Sequence, residues 1–268
     1  MAGKSRKIIT RFHPNHGRNL RVLDDNTVAC RTSSFADALV FSEKPIQLGE
    51  IFLVEIEKVE RGWSGHMRLG LTQINPADIP RNALPQYALP NLSRLGSTWI
   101  FGITKCHNIW DSFEGIDGTG YGEGIPLREK KLVTDGVNVH TSRGIIPFNA
   151  LRPNTVGSSR NILPTDAGSR IGIMYVPQAG SDKAEMHFII NGEDQGVCSK
   201  DIPYKTGPLH AVVDLYGTTK RVRVVQLYGV STLQSACRDA ILQYTERTAI
   251  DSLPLPRMLK DYLLYQSP

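Results

Sequence analysis

Residues 231–264 constrain what this chain can fold into more than any other stretch. Ser231 with Gln234 has the form of a helix capping box, and Leu233, Ala236, Cys237, Ala240, Ile241 and Tyr244 then recur at three- and four-residue spacing. One apolar stripe on one helix follows. After Ile250 the pattern breaks at Leu253-Pro254-Leu255-Pro256, where each proline removes a backbone donor and biases the residue before it away from helix. A second short helix is predicted with Pro256 at its first position and Met258, Leu259, Tyr262 and Leu263 on its apolar face. A segment below about forty residues buries too little surface to fold alone. The two stripes therefore close either on their own domain, as a hairpin packed in cis, or on a partner.

Upstream, from Phe12 to about Tyr228, short runs rich in Val, Ile, Phe and Tyr alternate with Gly, Pro, Asn and Asp, and no long helical stripe appears. Phe52, Val54 and Ile56 fall on one face of a strand, with Glu55 and Glu57 on the other. Met186–Ile190 followed by Asn191-Gly192 reads as a hairpin with a tight turn. Leu209–Tyr216 and Arg221–Tyr228 read as another strand pair joined at Gly217-Thr218. The predicted fold is mainly β, an antiparallel β-sandwich over residues 10–229, preceded by a tail of residues 1–9 and followed by a small α-helical unit over 230–268. Between Lys105 and Arg170 the strand signal thins, and a long surface loop is expected. The run Gly115–Gly124 lacks the G-x-G-x-x-G spacing, a P-loop Lys-Ser/Thr and a β-α-β context, so it is not read as a nucleotide site.

Several function classes are disfavoured. Cys30, Cys106, Cys198 and Cys237 are never in a Cys-x-x-Cys pair, which argues against a disulfide framework and a zinc site and for a reducing, cytoplasmic setting. His13 and His16 have no carboxylate or cysteine at ligand spacing, so a structural role near the first strand is expected and no metal or other cofactor is assigned. The net charge of +5 is spread along the chain, a weak nucleic-acid footprint, and Lys4, Arg6, Lys7 and Arg11 read as a solvated tail. No stretch approaches the length of a membrane span. Asn91-Leu92-Ser93 is read as a polar loop despite its sequon form. Trp63, Trp99 and Trp110 are expected in or at the edge of the core. No Gly-x-Ser-x-Gly elbow appears, and no catalytic residue is assigned.

Two sets of residues resemble known families. Thr232-Leu233-x-x-x-Cys237-x-x-x-Ile241 resembles the elongin-binding box of the SOCS-box family, and Ile250-x-x-Leu253-Pro254-Leu255-Pro256-x-x-Leu259-x-x-Tyr262-Leu263 resembles its cullin box, in the family's order. The resemblance implies that Thr232, Leu233, Cys237 and Ile241 bind elongin-B/elongin-C and that Ile250, Leu253, Pro254, Leu255, Pro256, Leu259, Tyr262 and Leu263 bind a cullin carrying a RING-box protein. The Leu-Pro-x-Pro core resembles the version that selects cullin-5 over cullin-2.

The β region resembles the neuralized homology repeat, through Phe12-His13-x-x-His16-Gly17-x-Asn19, Ser34-Phe35-Ala36, Phe41-Ser42-x-x-Pro45, Gly49-Glu50, Trp63-x-Gly65-x-x-x-Leu69-Gly70-Leu71-Thr72, Ile190-Asn191-Gly192-Glu193-Asp194-x-Gly196 and Val213-Asp214-Leu215-Tyr216-Gly217. The Asp111–Gly124 run matches that pattern least. This second resemblance implies a sandwich related to the SPRY fold that recognises protein ligands through loops at one end. Other neuralized proteins end in a RING finger, whereas this C-terminus has only Cys237 and no His among the ligand types a RING needs. Together the two imply a non-catalytic substrate receptor of a cullin-RING ubiquitin ligase. The alternative is a protein- or glycan-binding sandwich outside any ligase, its C-terminal helices packed in cis.

Overall fold

The computed structural model describes residues 10–80, 83–105, 109–110, 130–153, 162–228, 250 and 252–264. Its strands in chain order are β1 (Leu20–Leu23), β2 (Val28–Arg31), β3 (Leu39–Phe41), β4 (Phe52–Val59), β5 (Arg68–Thr72), β6 (Thr98–Ile103), β7 (Ile109–Trp110), β8 (Val133–Thr134), β9 (Asn138–Thr141), β10 (Gly144–Pro147), β11 (Arg170–Pro177), β12 (Ala184–Ile190), β13 (Glu193–Ile202), β14 (His210–Asp214) and β15 (Thr219–Val224). Seven of them form one sheet in the order β1-β2-β15-β4-β11-β12-β13, five form a second in the order β3-β14-β5-β6-β7, and three a small third, β10-β9-β8. All of their pairings are antiparallel.

Period-two alternation decides which side chains fill the space between the two large sheets. Phe52, Val54 and Ile56 of β4, Ile171, Ile173 and Tyr175 of β11, and Met186, Phe188 and Ile190 of β12 meet Leu69 and Leu71 of β5 and Ala211 and Val213 of β14 in one buried cluster. The five-stranded sheet is buried on its other face too. There Leu39, Phe41, Ile100 and Val212 pack under Ala88, Leu89 and Leu92, carried by the long β5–β6 connection. That is why Leu92, inside the sequon-like triplet, is buried within a helical turn at Ala88–Leu92 and not part of a polar loop.

The β12–β13 hairpin turns as its sequence predicts, with Asn191 at φ 52° and Gly192 at φ 88°. The strands on either side of Gly217-Thr218 do not pair with each other, however. β14 lies between β3 and β5, whereas β15 lies between β2 and β4, so the connection crosses from one sheet to the other. Alternation marks both segments as strands but carries no information about which neighbour each takes. Between 105 and 170 the expected loop also gives way in part to structure: β8, β9 and β10 form a three-stranded sheet whose Val139 and Ile146 are buried. The Gly115–Gly124 run lies outside the described residues. Arg11 is no solvated tail residue, since its Nε donates to the Asp25 carbonyl at 3.1 Å and its guanidinium pairs with the Asp25 carboxylate.

Gly217 closes the sheet-crossing connection at φ 56°, and a Cβ there would lie 2.2 Å from the Gly65 carbonyl oxygen. Gly217→Ala is therefore expected to destabilise the domain by about 2–3 kcal/mol, lowering the thermal midpoint by roughly 4–12 °C. An unchanged melt by circular dichroism would show that the two loops are free to separate.

Ile9–Leu227 is one compact unit, and Tyr228–Pro268 falls in another. In the second, Ile250 is buried and a helix, α1, spans Arg257–Leu264. Pro256 immediately precedes that helix and is not its first residue; its carbonyl accepts from the N–H groups of Leu259 at 2.9 Å and Lys260 at 3.2 Å, the position of an N-cap. No helix among the described residues is long and apolar enough to cross a membrane.

Candidate functional site

Connections β2–β3, β4–β5 and β14–β15 meet at one end of the sandwich, and the β5–β6 excursion reaches the same place. Beneath them lies a charged network. Asp214, the last residue of β14, is fully buried, and its Oδ2 accepts from the Ala88 N–H at 3.0 Å and from Arg68 Nη1 at 3.4 Å. Arg68 Nη1 also donates to the Leu89 carbonyl at 2.9 Å. Arg31, the last residue of β2, is equally buried and donates from Nη2 to the Gly217 carbonyl at 2.8 Å and to Glu60 Oε2 at 3.2 Å. Arg31 Nε and Nη1 and Asp214 Oδ1 have no hydrogen-bond partner.

Burial pushes the Asp214 carboxyl up to about 7, against the opposing pull of the Ala88 N–H and the charges of Arg68 and Arg31. Burial likewise lowers Arg31 from its usual range, while Glu60 and Asp214 counter it. Each guanidinium faces an aromatic ring. The Arg68 carbon sits 3.7 Å from the Tyr216 centroid, and that of Arg31 lies 5.7 Å from Trp63, both within cation–π reach. Phe35 joins the rings edge-on, 4.6 Å from Tyr216 and 5.0 Å from Trp63, and Tyr87 completes the cluster 6.0 Å from Tyr216.

This group contains Phe35, Trp63, Gly65, Asp214, Tyr216 and Gly217, drawn from three of the motifs that stand far apart in the chain. Sequence reasoning places the tryptophans with the core, yet Trp63 is 41 % exposed; the flanking Gly62 and Gly65, both at positive φ, are the local signal of a projecting loop. Trp99 does pack, half-buried, on the core, and the Trp110 side chain lies outside what is described.

A second buried cluster holds the small sheet in place. Asp194 Oδ1 accepts from the Gly196 N–H at 2.8 Å and lies 3.1 Å from His187 Nδ1, while Oδ2 accepts from the N–H groups of Lys131 at 2.7 Å and Leu132 at 3.0 Å. Burial raises the Asp194 carboxyl, but the His187 bond and these N–H groups outweigh it and hold the group below its ordinary value. Glu185 Oε1 stands 3.5 Å from the other ring nitrogen. Three of the bonds to Asp194 come from backbone N–H groups, which gives the cluster the work of a tie between β13 and the segment entering β8. His13 and His16 are also locally bonded, to the Asn15 N–H at 3.0 Å and the Gly17 carbonyl at 2.9 Å.

At the C-terminus, Thr232, Leu233, Cys237 and Ile241 lie outside the described residues. Among the cullin-box positions, Ile250 is buried, Leu253 and Leu255 are half-buried, and Pro254 and Pro256 are exposed. The Leu255 N–H donates to the Leu253 carbonyl at 2.7 Å, a tight turn inside the Leu-Pro-Leu-Pro run. Met258 is 83 % and Leu259 41 % exposed on α1. Tyr262 and Leu263 fall in the same helix, but their side chains are not described.

Two family profiles match the chain. Residues 12–226 match the family profile Neuralized, and residues 229–264 match that of the SOCS box. Human neuralized-like protein 2 is 41 % identical over 277 aligned residues, spanning 96 % of this chain and 92 % of that protein. A mouse protein named E3 ubiquitin-protein ligase NEURL3 is 35 % identical over 46 % of this chain and 51 % of its own length. Among solved structures, the NHR1 domain of Drosophila melanogaster neuralized superposes with a TM-score of 0.55 at 20 % identity, covering 81 % of this chain and 98 % of that domain. From the profile over the sandwich and the near full-length identity, the chain belongs to the neuralized family and carries a SOCS box behind its neuralized domain.

Proposed function

We propose that the chain is a non-catalytic, cytoplasmic substrate receptor of a cullin-RING ubiquitin ligase: the neuralized sandwich holds a protein, and the SOCS box joins elongin-B/elongin-C and a cullin. Such a receptor acts by proximity. Holding a substrate lysine beside the transferring enzyme raises its effective concentration without a catalytic group. The observation that carries the reading is a neuralized domain followed directly by a SOCS box. The exposed apolar residues Met258 and Leu259 of α1 add to it, because exposed apolar side chains of this size suit a partner. The name of the mouse relative points to the same chemistry.

The finer proposal is cullin-5 in preference to cullin-2, resting on Leu253-Pro254-Leu255-Pro256. Each proline limits the unbound conformations of the run, so the entropy lost on docking is reduced. Pro254→Ala with Pro256→Ala is expected to weaken cullin-5 binding by about 4- to 30-fold, from 0.4–1 kcal/mol per proline, while elongin-C binding is retained. Titrating the elongin-bound chain and its double variant with cullin-5 and cullin-2 N-terminal domains tests this. Equal cullin-5 affinity for both, or a wild-type preference for cullin-2, rejects the assignment.

A further inference from the structure

The aromatic end of the sandwich has the composition of an interface hot spot, since Trp, Tyr and Arg dominate such sites. Its most exposed ring is also held by three contacts. Trp63 donates from Nε1 to Glu60 Oε2 at 3.2 Å, meets Phe35 edge-on at 5.0 Å and has the Arg31 guanidinium 5.7 Å from its centroid. An indole held in place before binding loses little rotamer freedom on contact, so its apolar surface is available at low entropic cost.

The hydrogen-bonding inventory around it is one-sided. Asp37 is engaged by Arg18 Nε at 2.9 Å. Both oxygens of Glu60 are 3.1 Å from Lys220 Nζ, and one also serves Arg31 and Trp63. Asp214 is buried. The charged groups at this end are Arg18, Arg31, Arg61, Arg68 and Lys220 against Asp37, Glu60 and Asp214, an excess of positive charge. The most exposed of them are Arg18, whose side chain is 81 % exposed, and Arg61, with the Glu60 carboxylate 37 % exposed but shared among three donors. The missing complement is therefore an apolar side chain accompanied by acceptors.

We propose that the surface formed by Phe35, Trp63, Tyr87 and Tyr216 with Arg18 and Arg61 docks an extended protein segment that presents an aromatic or large aliphatic side chain between carboxylates. This names the class of segment that the receptor reading leaves open, and it rests on that reading only for its biological use.

Random peptides displayed on phage, selected on the full-length chain purified with elongin-B/elongin-C, test it. Enriched peptides are expected to combine Trp, Tyr, Phe or Leu with neighbouring Asp or Glu. Trp63→Ala should weaken a synthesised winner roughly 30-fold, and Arg18→Glu with Arg61→Glu roughly tenfold. All three positions are exposed, so equal melting of the variants is the check on folding. No enrichment, enrichment of basic peptides, or a winner indifferent to both variants overturns the proposal. Elongin retention is scored on the same preparations, so a failed receptor reading appears as lost elongin and a failed docking surface as lost peptide selectivity.

Discussion

Above about pH 7, where the Asp214 carboxylate is charged beside Arg68 and Arg31, Asp214→Ala is expected to destabilise the β domain by about 3–5 kcal/mol, the range found when one partner of a buried ion pair is removed. The alanine would leave the Ala88 N–H and one bond of Arg68 without their acceptor, and Arg31 with Glu60 but without the second carboxylate that offsets its burial. Asp214→Asn, which keeps an oxygen for the Ala88 N–H, is expected to cost less. The pH dependence follows from the direction of the shift. Because the folded protein raises this carboxyl from 3.8 to about 7, it favours the neutral form. The group's contribution to stability is fully present below pH 3.8 and is lost as the pH rises through about 7. Urea unfolding of wild type and Asp214→Asn across that window should show the wild type losing stability relative to the variant as pH rises. Parallel curves would mean that Asp214 stays ionised throughout, with the two guanidiniums outweighing desolvation.

The same network marks the boundary of what the amino-acid sequence discloses. Inner-face residues such as Phe52, Val54 and Ile56 are legible because alternation is a local property, and the Asn191-Gly192 turn because its chemistry is carried by two residues. Arg31 and Gly217 are 186 positions apart yet share a hydrogen bond. Nothing periodic in either neighbourhood announces it. Asp214 ends a run of apolar strand residues, and from spacing alone it reads as a strand terminus meeting water, not as the fully buried group it is. β14 and β15 were separable as strands but not assignable to different sheets, since the choice is made by packing across the sandwich. The small sheet of β8, β9 and β10 is illegible for another reason: strands of two to four residues are at or below the shortest run in which alternation can be counted. For the SOCS box the relation is reversed. Its multi-position spacing is explicit in the sequence, whereas Thr232, Leu233, Cys237 and Ile241 lie outside the described residues.

Leu233→Pro combined with Cys237→Phe is expected to abolish elongin-C binding and leave the sandwich folded. Proline within the first turns of the 231–244 stripe removes a backbone donor and clashes with the preceding turn, at about 3 kcal/mol or more in a helix interior. Phenylalanine at 237 places a large ring where the spacing calls for a small, soft side chain at a close helix approach, and overpacking of that kind costs typically 1–3 kcal/mol. Together these amount to roughly 4–6 kcal/mol, a loss of about three to four orders of magnitude in affinity. The sandwich should be indifferent, because its buried core is assembled from residues between Phe12 and Val224. Affinity capture of the full-length chain from cells expressing either form, with elongin-C quantified and the β domain's melt recorded, separates the outcomes. Elongin-C recovered at wild-type yield would reject the assignment of Leu233 and Cys237. Loss of elongin-C together with loss of the sandwich transition would instead show that the 231–244 stripe packs in cis on the domain that precedes it, the arrangement expected of a binding module that serves no ligase.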